Sequence, residues 1–104
     1  MKILFICSRN ELRSPTAERI FADRAETDSA GLAPDAALRV EPDQLLWADL
    51  VVVMEKKHKL ALTRRFSRYL SGTRIVSVDI PDRYDYMQPE LVELLEQRMS
   101  RFLG

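Results

Sequence analysis

The stretch Ile3-Leu-Phe-Ile-Cys-Ser-Arg-Asn-Glu-Leu-Arg-Ser-Pro-Thr-Ala-Glu18 decides the fold of this chain. An apolar run stops at Cys7, and Ser14 before Pro15 predicts an N-cap followed by the first helical residue. The pattern therefore predicts a strand, a tight loop and a helix. The backbone N–H groups of such a loop converge with the helix terminus on one point, which attracts an oxyanion. A thiolate there would be stabilised, so Cys7 is a candidate nucleophile.

Length and composition limit what can surround this stretch. A chain of 104 residues with 46% apolar and 31% charged residues is predicted to form a single domain, residues 1–104. Its formal net charge of zero gives no long-range field, so we expect neither nucleic acid nor a membrane as a partner. A lone cysteine excludes an internal disulfide, and a nucleophilic thiol suits a reducing compartment, which favours the cytoplasm.

The rest of the chain alternates strand and helix patterns. Strands are predicted at residues 2–6, 27–31, 49–54 and 74–80, and helices at residues 14–26, 42–47, 55–70 and from 88 to the end. Residues 32–40 have no clear period and are predicted as a loop. This alternation predicts an α/β fold with three layers, in which helices cover both faces of a four-stranded parallel sheet. The Cys7 loop then lies at the carboxyl end of the first strand, where such sheets bind ligands.

Cys7-x5-Arg13-Ser14-Pro15, directly after the first strand, resembles the phosphate-binding loop of the low-molecular-weight protein tyrosine phosphatases. Three other segments are similar to segments of that family: Asp28-Ser-Ala-Gly31, Ala48-Asp-Leu-Val-Val-Val-Met-Glu55, and Asp79-Ile-Pro81 with the tyrosines after it. The resemblance implies a protein tyrosine phosphatase, a metal-independent phosphomonoester hydrolase that forms a phosphocysteine intermediate and needs no cofactor. Its substrate would be a phosphotyrosine protein or a small aryl phosphate, and its product inorganic phosphate.

The resemblance also implies roles within the loop. Cys7 would attack phosphorus, and the planar guanidinium of Arg13 would grip two phosphate oxygens. Ser14 would hydrogen-bond the sulfur, and the loop amides would hold the charge that develops in the transition state. The predicted phosphate-binding residues are Ser8, Arg9, Asn10, Glu11, Leu12, Arg13 and Ser14.

An aspartic acid must protonate the leaving group and later activate water. The family's Asp-Pro-Tyr motif is absent as such, and the matching segment offers Asp79 and Asp82, with Asp85 as a third choice. Asp79 and Asp82 are nearly equal candidates, and Asp79 is slightly favoured because a strand end is a more rigid position. Tyr84 and Tyr86 are candidates for an aromatic wall beside the substrate; the alternative is that they pack the loop onto the sheet.

Three features depart from the family pattern. Arg9 stands where the family usually has glycine, and it is expected either to alter the loop's shape or to add charge at its rim. Leu12 replaces a second loop cysteine. The chain is also shorter than the usual members between Gly31 and Ala48, a region that normally helps to wall the substrate cleft.

Two other functions fit the same residues. A phosphate- or phosphoprotein-binding module would keep the loop without turnover if Arg9 distorts the site. An arsenate reductase-like protein would need an external thiol, because the chain has no second cysteine.

His58, the only histidine, follows Glu55-Lys-Lys on a charged helical face. It is predicted to lie at the surface, and it has no companions for a metal site.

Overall fold

The computed structural model describes residues 1–103. The elements in chain order are β1 (Lys2–Cys7), α1 (Arg13–Ile20), β2 (Glu26–Gly31), α2 (Pro42–Trp47), β3 (Leu50–Val53), α3 (Lys56–Phe66), a 3-10 turn (Ser67–Tyr69), β4 (Arg74–Ser77) and α4 (Pro89–Leu103). Within these residues no helix is both long enough and apolar enough to cross a bilayer.

The four strands form one parallel sheet in the order β2-β1-β3-β4. Strand β1 is central, and its register pairs Cys7 with Gly31 on one side and Ile6 with Val53 on the other. The chain first adds β2 to one edge of β1 and then crosses to add β3 to the other edge. This reversal is a topological switch point, so the expected ligand cleft opens at the carboxyl end of β1, where Cys7 lies.

Two apolar clusters fill the space on either side of the sheet. Ile3 and Phe5 pack toward α1 and α4, whereas Leu4 and Ile6 pack toward α2 and α3. Successive strand side chains point to opposite faces, and β1 is buried on both, which explains its continuous apolar run. The predicted three-layer α/β fold is confirmed.

The start of α1 differs from the prediction. The helix begins at Arg13, its N-cap residue is Leu12, and no side chain caps it. Ser14 lies inside the helix because its hydroxyl has other partners: Cys7 Sγ is 3.0 Å away, and the Asn10 Nδ2 group donates to Ser14 Oγ at 3.0 Å. The prediction that Ser14 caps the helix is therefore wrong. A serine hydroxyl engaged elsewhere is not available to the helix N–H groups.

Candidate active site

The loop that joins β1 to α1 has its carbonyl groups held from one side. We call residues 7–13 the nucleophile loop and residues 32–37 the bracing segment. Three consecutive carbonyls of the loop accept hydrogen bonds from the bracing segment: Cys7 O from Leu32 N at 3.1 Å, Ser8 O from Ala33 N at 2.8 Å, and Arg9 O from Ala37 N at 2.9 Å.

This bracing orients the loop amides. No peptide bond among the described residues is cis, and in a trans peptide the N–H group points away from the carbonyl. The N–H groups of Ser8, Arg9 and Asn10 therefore point away from the bracing segment. The Asn10 N–H reaches Cys7 Sγ at 3.3 Å. We call this donor-lined side of the loop, where the Cys7 sulfur lies, the cup; that it binds an oxyanion stays a prediction.

Asn10 shapes this cup. Its φ is 57°, in the left-handed region that asparagine tolerates better than most residues. Its side chain donates to Ser14 Oγ, and Ser14 Oγ lies 3.0 Å from Cys7 Sγ. Cys7 is 3% exposed. The sulfur is therefore surrounded by a backbone N–H and a hydroxyl that can donate to it when it carries negative charge.

Arg9 keeps an ordinary backbone conformation. Within residues 1–103 the non-glycine residues with positive φ are Asn10, Asp79 and Met87, so position 9 makes no demand that only glycine could meet. The Arg9 side chain is 63% exposed, and its Nη1 lies 3.5 Å from Asp35 Oδ2. Arg9 therefore adds charge at the rim, which is the second of the two expected effects.

Arg13 closes the loop and is 2% exposed. Its Nη1 donates to Glu55 Oε2 and to the Ile80 carbonyl, both at 2.7 Å, and its Nε lies 3.7 Å from Asp82 Oδ1. None of the hydrogen bonds in the described part of the chain uses Nη2. Because the Nε–H and one N–H of Nη2 point the same way, the guanidinium keeps one edge for bidentate contact with an oxyanion.

Glu55 neutralises this buried cation. Burial raises the pKa of Glu55, but the hydrogen bond and charge of Arg13, helped by Lys57 and His58, outweigh burial and hold the pKa below its usual value. Glu55 is therefore ionised near neutral pH, and its carboxylate fixes the Nη1 side of Arg13.

His58 lies in the site rather than at the surface. It is 3% exposed in the first turn of α3, so the surface prediction is wrong. The Glu55 N–H donates to His58 Nδ1 at 3.1 Å, and His58 Nε2 lies 2.9 Å from Ser8 Oγ. The spacing of Glu55 and His58 is that of a capping box, and this was the signal in the sequence that could have placed His58 against its helix start.

The imidazole of His58 is neutral near pH 7. Burial, the Arg13 guanidinium and Lys57 lower its pKa from 6.5 to about 4, against the opposing effect of Glu55 and Asp82. Because Nδ1 accepts a hydrogen bond, the proton of the neutral ring is on Nε2, which donates to the Ser8 hydroxyl.

Residues 78–88 form what we call the acid loop. The loop is anchored at Ile80. The Ile80 carbonyl accepts the hydrogen bond from Arg13, and the Ile80 N–H donates at 2.7 Å to the carbonyl of Met54, the residue after β3. Asp82, 61% exposed, comes to Arg13. Asp79 has φ 55°, and Ser77 Oγ donates to its carboxylate at 2.7 Å. The structure therefore brings Asp82 to the guanidinium and leaves the Asp79 carboxylate on Ser77.

The two tyrosines occupy different surroundings. Tyr84 is half-buried against the apolar cluster under α1 and α4. Tyr86 is 44% exposed, and Arg19 Nη1 donates to its hydroxyl at 3.5 Å on the outer side of α1. Tyr84 therefore packs the loop onto the body of the protein, which was the alternative interpretation of the tyrosines. The aromatic wall beside the substrate stays a prediction. Glu11 is exposed on the loop, next to the half-buried Leu12.

Residues 2–43 match the family model described as low molecular weight phosphotyrosine protein phosphatase. No curated protein gives a significant match to this chain. Wzb of Vibrio vulnificus, solved with benzylphosphonate, is 23% identical with a TM-score of 0.77 and is aligned over 98% of this chain and 96% of its own. Wzb of Escherichia coli K30, solved with phosphate, is 22% identical with a TM-score of 0.74 over 98% and 95% of the two chains.

A third solved structure carries a different substrate in its name. The YwlE arginine phosphatase of Geobacillus stearothermophilus is 20% identical with a TM-score of 0.72, over 98% of this chain and 92% of its own. At these identities the solved structures establish a shared fold. The family model over residues 2–43 supports a cysteine-based phosphatase over a binding module or an arsenate reductase-like protein. The resemblance to the low-molecular-weight protein tyrosine phosphatases is thus confirmed, by the family model over residues 2–43 and by the fold over nearly the whole chain.

Proposed function

We propose that this protein is a metal-independent phosphomonoester hydrolase that forms a phosphocysteine intermediate on Cys7. One observation carries the proposal: the buried Cys7 sulfur lies against the Asn10 N–H and the Ser14 hydroxyl, in a loop closed by Arg13, whose Nη2 is not used by any hydrogen bond among the described residues. An oxyanion in this cup would meet positive charge from the loop, from the terminus of α1 and from Arg13. No other charge is needed to hold a phosphate.

In the first step the thiolate of Cys7 attacks phosphorus, a sulfur–phosphorus bond forms, and the bond from phosphorus to the ester oxygen breaks. The leaving oxygen takes a proton from an aspartic acid. In the second step water attacks phosphorus, the aspartate accepts its proton, and Cys7 leaves as a thiolate. The Ser14 hydroxyl, 3.0 Å from the sulfur, would stabilise that thiolate by donating to it. Inorganic phosphate is the product.

Asp82 is the proposed general acid. A phosphate held by Nε and Nη2 of Arg13 would lie against Asp82, because Asp82 Oδ1 is 3.7 Å from Nε. Its exposed side chain can follow leaving groups of different shapes. Asp79, which the sequence slightly favours, is held by Ser77 and has no hydrogen bond or ion pair to the nucleophile loop among the described contacts. We therefore propose that Asp79 shapes the acid loop and is not the general acid.

The proposed substrates are phosphotyrosine in proteins or small aryl phosphates. The family model and the two Wzb phosphatases support this choice, and the bound benzylphosphonate of one of them is an aryl compound. The YwlE arginine phosphatases make phosphoarginine the competing substrate. The two differ in the leaving atom, oxygen against nitrogen, so direct comparison separates them.

The test uses purified protein in excess EDTA. We expect hydrolysis of p-nitrophenyl phosphate and of a phosphotyrosine peptide, a lower kcat/KM on a phosphoarginine peptide of the same sequence, and no activity for Cys7→Ser. An inactive wild-type protein between pH 5 and 7.5, or an active Cys7→Ser variant, would overturn the proposal. A higher kcat/KM on phosphoarginine would overturn only the substrate assignment.

A further inference from the structure

We propose that the first turn of α3 clamps both ends of the nucleophile loop, with His58 as a positioning residue that holds Ser8 while Glu55 holds Arg13. For its kinetic consequence this inference rests on the proposed function, since it names a residue that serves the same site. Its binding and spectroscopic consequences do not require turnover.

The clamp follows from the separate hydrogen bonds that His58 and Glu55 make with different atoms. His58 uses Nδ1 to accept from the Glu55 N–H at 3.1 Å and Nε2 to reach Ser8 Oγ at 2.9 Å. Glu55 uses its backbone N–H for His58 and its Oε2 for Arg13 Nη1 at 2.7 Å. The residues that cap the helix therefore also bind the second and the last residue of the nucleophile loop.

This clamp holds the loop from the side opposite to its backbone brace. The bracing segment binds the carbonyls of Cys7, Ser8 and Arg9, whereas α3 binds the side chains of Ser8 and Arg13. Ser8 is thus fixed twice. A hydroxyl that accepts from an imidazole keeps its own hydrogen to donate, so Ser8 is set as a donor at the beginning of the cup.

His58 is suited to this role because it stays uncharged beside charged groups. Glu55 and Lys57 face it from its own helix, Arg13 from the nucleophile loop and Asp82 from the acid loop. It is 3% exposed, and both ring nitrogens have partners. A general acid or base needs a nitrogen that is free to exchange a proton with the substrate, and His58 has none free.

The first test is a double-variant cycle read by the affinity for inorganic phosphate, measured by titration calorimetry. His58→Leu removes both bonds at similar size, and Ser8→Ala removes the bonded hydroxyl. We expect each to weaken phosphate binding about tenfold and the double variant to weaken it by about the same factor, because the two residues act through one hydrogen bond. Loss of about a hundredfold in the double variant, or wild-type affinity in His58→Leu, would overturn the proposal.

His58→Gln is the matched conservative variant. The Gln amide oxygen can accept from the Glu55 N–H, and its NH₂ group can donate to Ser8. We expect phosphate affinity and kcat/KM within about twofold of wild type, whereas His58→Leu loses about tenfold in kcat/KM. A purely structural role for His58 would lower the stability of both variants and leave kcat/KM of the folded protein unchanged, which would count against the clamp.

A spectroscopic test keeps the proposal falsifiable if His58→Leu does not fold. His58 is the only histidine, so its ring nitrogens give unique ¹⁵N signals. We expect the neutral tautomer with the proton on Nε2, with signals that move in Ser8→Ala and on addition of inorganic phosphate. A proton on Nδ1, or ring signals unchanged in Ser8→Ala, would overturn the clamp. Inactive wild-type protein that nevertheless gave these signals would overturn the phosphatase assignment alone.

Discussion

The nucleophile loop and the acid loop meet at Arg13 but are held very differently. Cys7, Asn10 and Arg13 are at most 5% exposed, and the loop around them is bonded to the bracing segment and to α3. In the acid loop, Asp82 is 61% exposed, and the main anchor beside the site is the backbone of Ile80. In the proposed mechanism, the groups that face developing charge are therefore fixed from several sides, and the proposed general acid, which must follow a variable leaving group, is left exposed. Changes in the first loop should therefore affect every substrate, and changes in the second should depend on the leaving group.

The largest effect is expected at Arg13. Arg13→Lys keeps a cation near Glu55 but loses the bidentate edge, so we expect kcat/KM to fall about 10³-fold. The loss should be similar for p-nitrophenyl phosphate and phenyl phosphate, because the lost contact is to the phosphate. Steady-state kinetics with both esters measures it. A loss confined to the poorer leaving group would mean that Arg13 serves the acid loop instead.

Burial at the nucleophile loop should appear in the pH dependence of stability. The pKa of His58 is about 4 in the folded protein against 6.5 as its ordinary value, so between these pH values the unfolded chain binds more protons. The free energy of unfolding therefore falls as pH is lowered from 6.5 to 4, by about 3 kcal/mol from this group.

His58→Gln removes that contribution and leaves those of the carboxylates. Urea unfolding of the wild type and of His58→Gln at several pH values from 7 to 4 measures the free energy of unfolding of each protein. Toward pH 4 the wild type should lose more stability than His58→Gln, so any advantage of the wild type should shrink or be reversed. Parallel losses in the two proteins would show that His58 is solvated rather than buried.

The acid loop is tested by Asp82→Asn with Asp79→Asn as its matched control. We expect Asp82→Asn to lower kcat about 10²-fold on phenyl phosphate and clearly less on p-nitrophenyl phosphate, whose leaving group needs little protonation. Asp79→Asn keeps the acceptor oxygen for Ser77 and should stay within about threefold on both. A larger loss of kcat in Asp79→Asn than in Asp82→Asn would make Asp79 the general acid, and the proximity of Asp82 to Arg13 would then be no guide to the acid.

The smallest effect is expected at Gly31, directly before the bracing segment. A Cβ on Gly31 would lie 2.6 Å from Ala36 Cβ and 2.7 Å from the Ser8 carbonyl oxygen, so Gly31→Ala should cost about 2 kcal/mol of stability and weaken phosphate binding.

Gly72→Ala is the control for the brace: Gly72 has φ 79° and open space around its Cβ position, so it should cost about 1 kcal/mol without any change in phosphate affinity. Equal phosphate affinity of the two variants would show that the brace does not shape the loop.

The parts of the site that could be predicted are those that neighbouring residues determine. The apolar run to Cys7 and the start of a helix near Arg13 are local properties, and the structure agrees with both. The capping by Ser14 failed because its hydroxyl serves the sulfur, a partner that capping rules do not consider.

The parts that could not be predicted depend on packing between distant segments. His58 lies among lysines, and only the docking of α3 against β3 and β4 turns it toward Ser8, 50 positions earlier in the chain. The choice between Asp79 and Asp82 depends on the course of the loop after β4, which leaves the Asp79 carboxylate on Ser77 and brings Asp82 to Arg13. Residues 32–37 gave no periodic signal because their backbone, rather than their side chains, binds the loop.

The most direct test of the account is to find where the phosphoryl group goes. Asp82→Asn should slow the attack of water on the intermediate, so a rapid denaturing quench at neutral to mildly alkaline pH, after mixing with p-nitrophenyl phosphate, should trap it. We predict one phosphoryl group per chain, located by mass spectrometry on the sulfur of Cys7. Turnover with no trapped phosphoryl group, or a phosphoryl group on any other residue, would contradict the central claim that the cup presents Cys7 as the nucleophile.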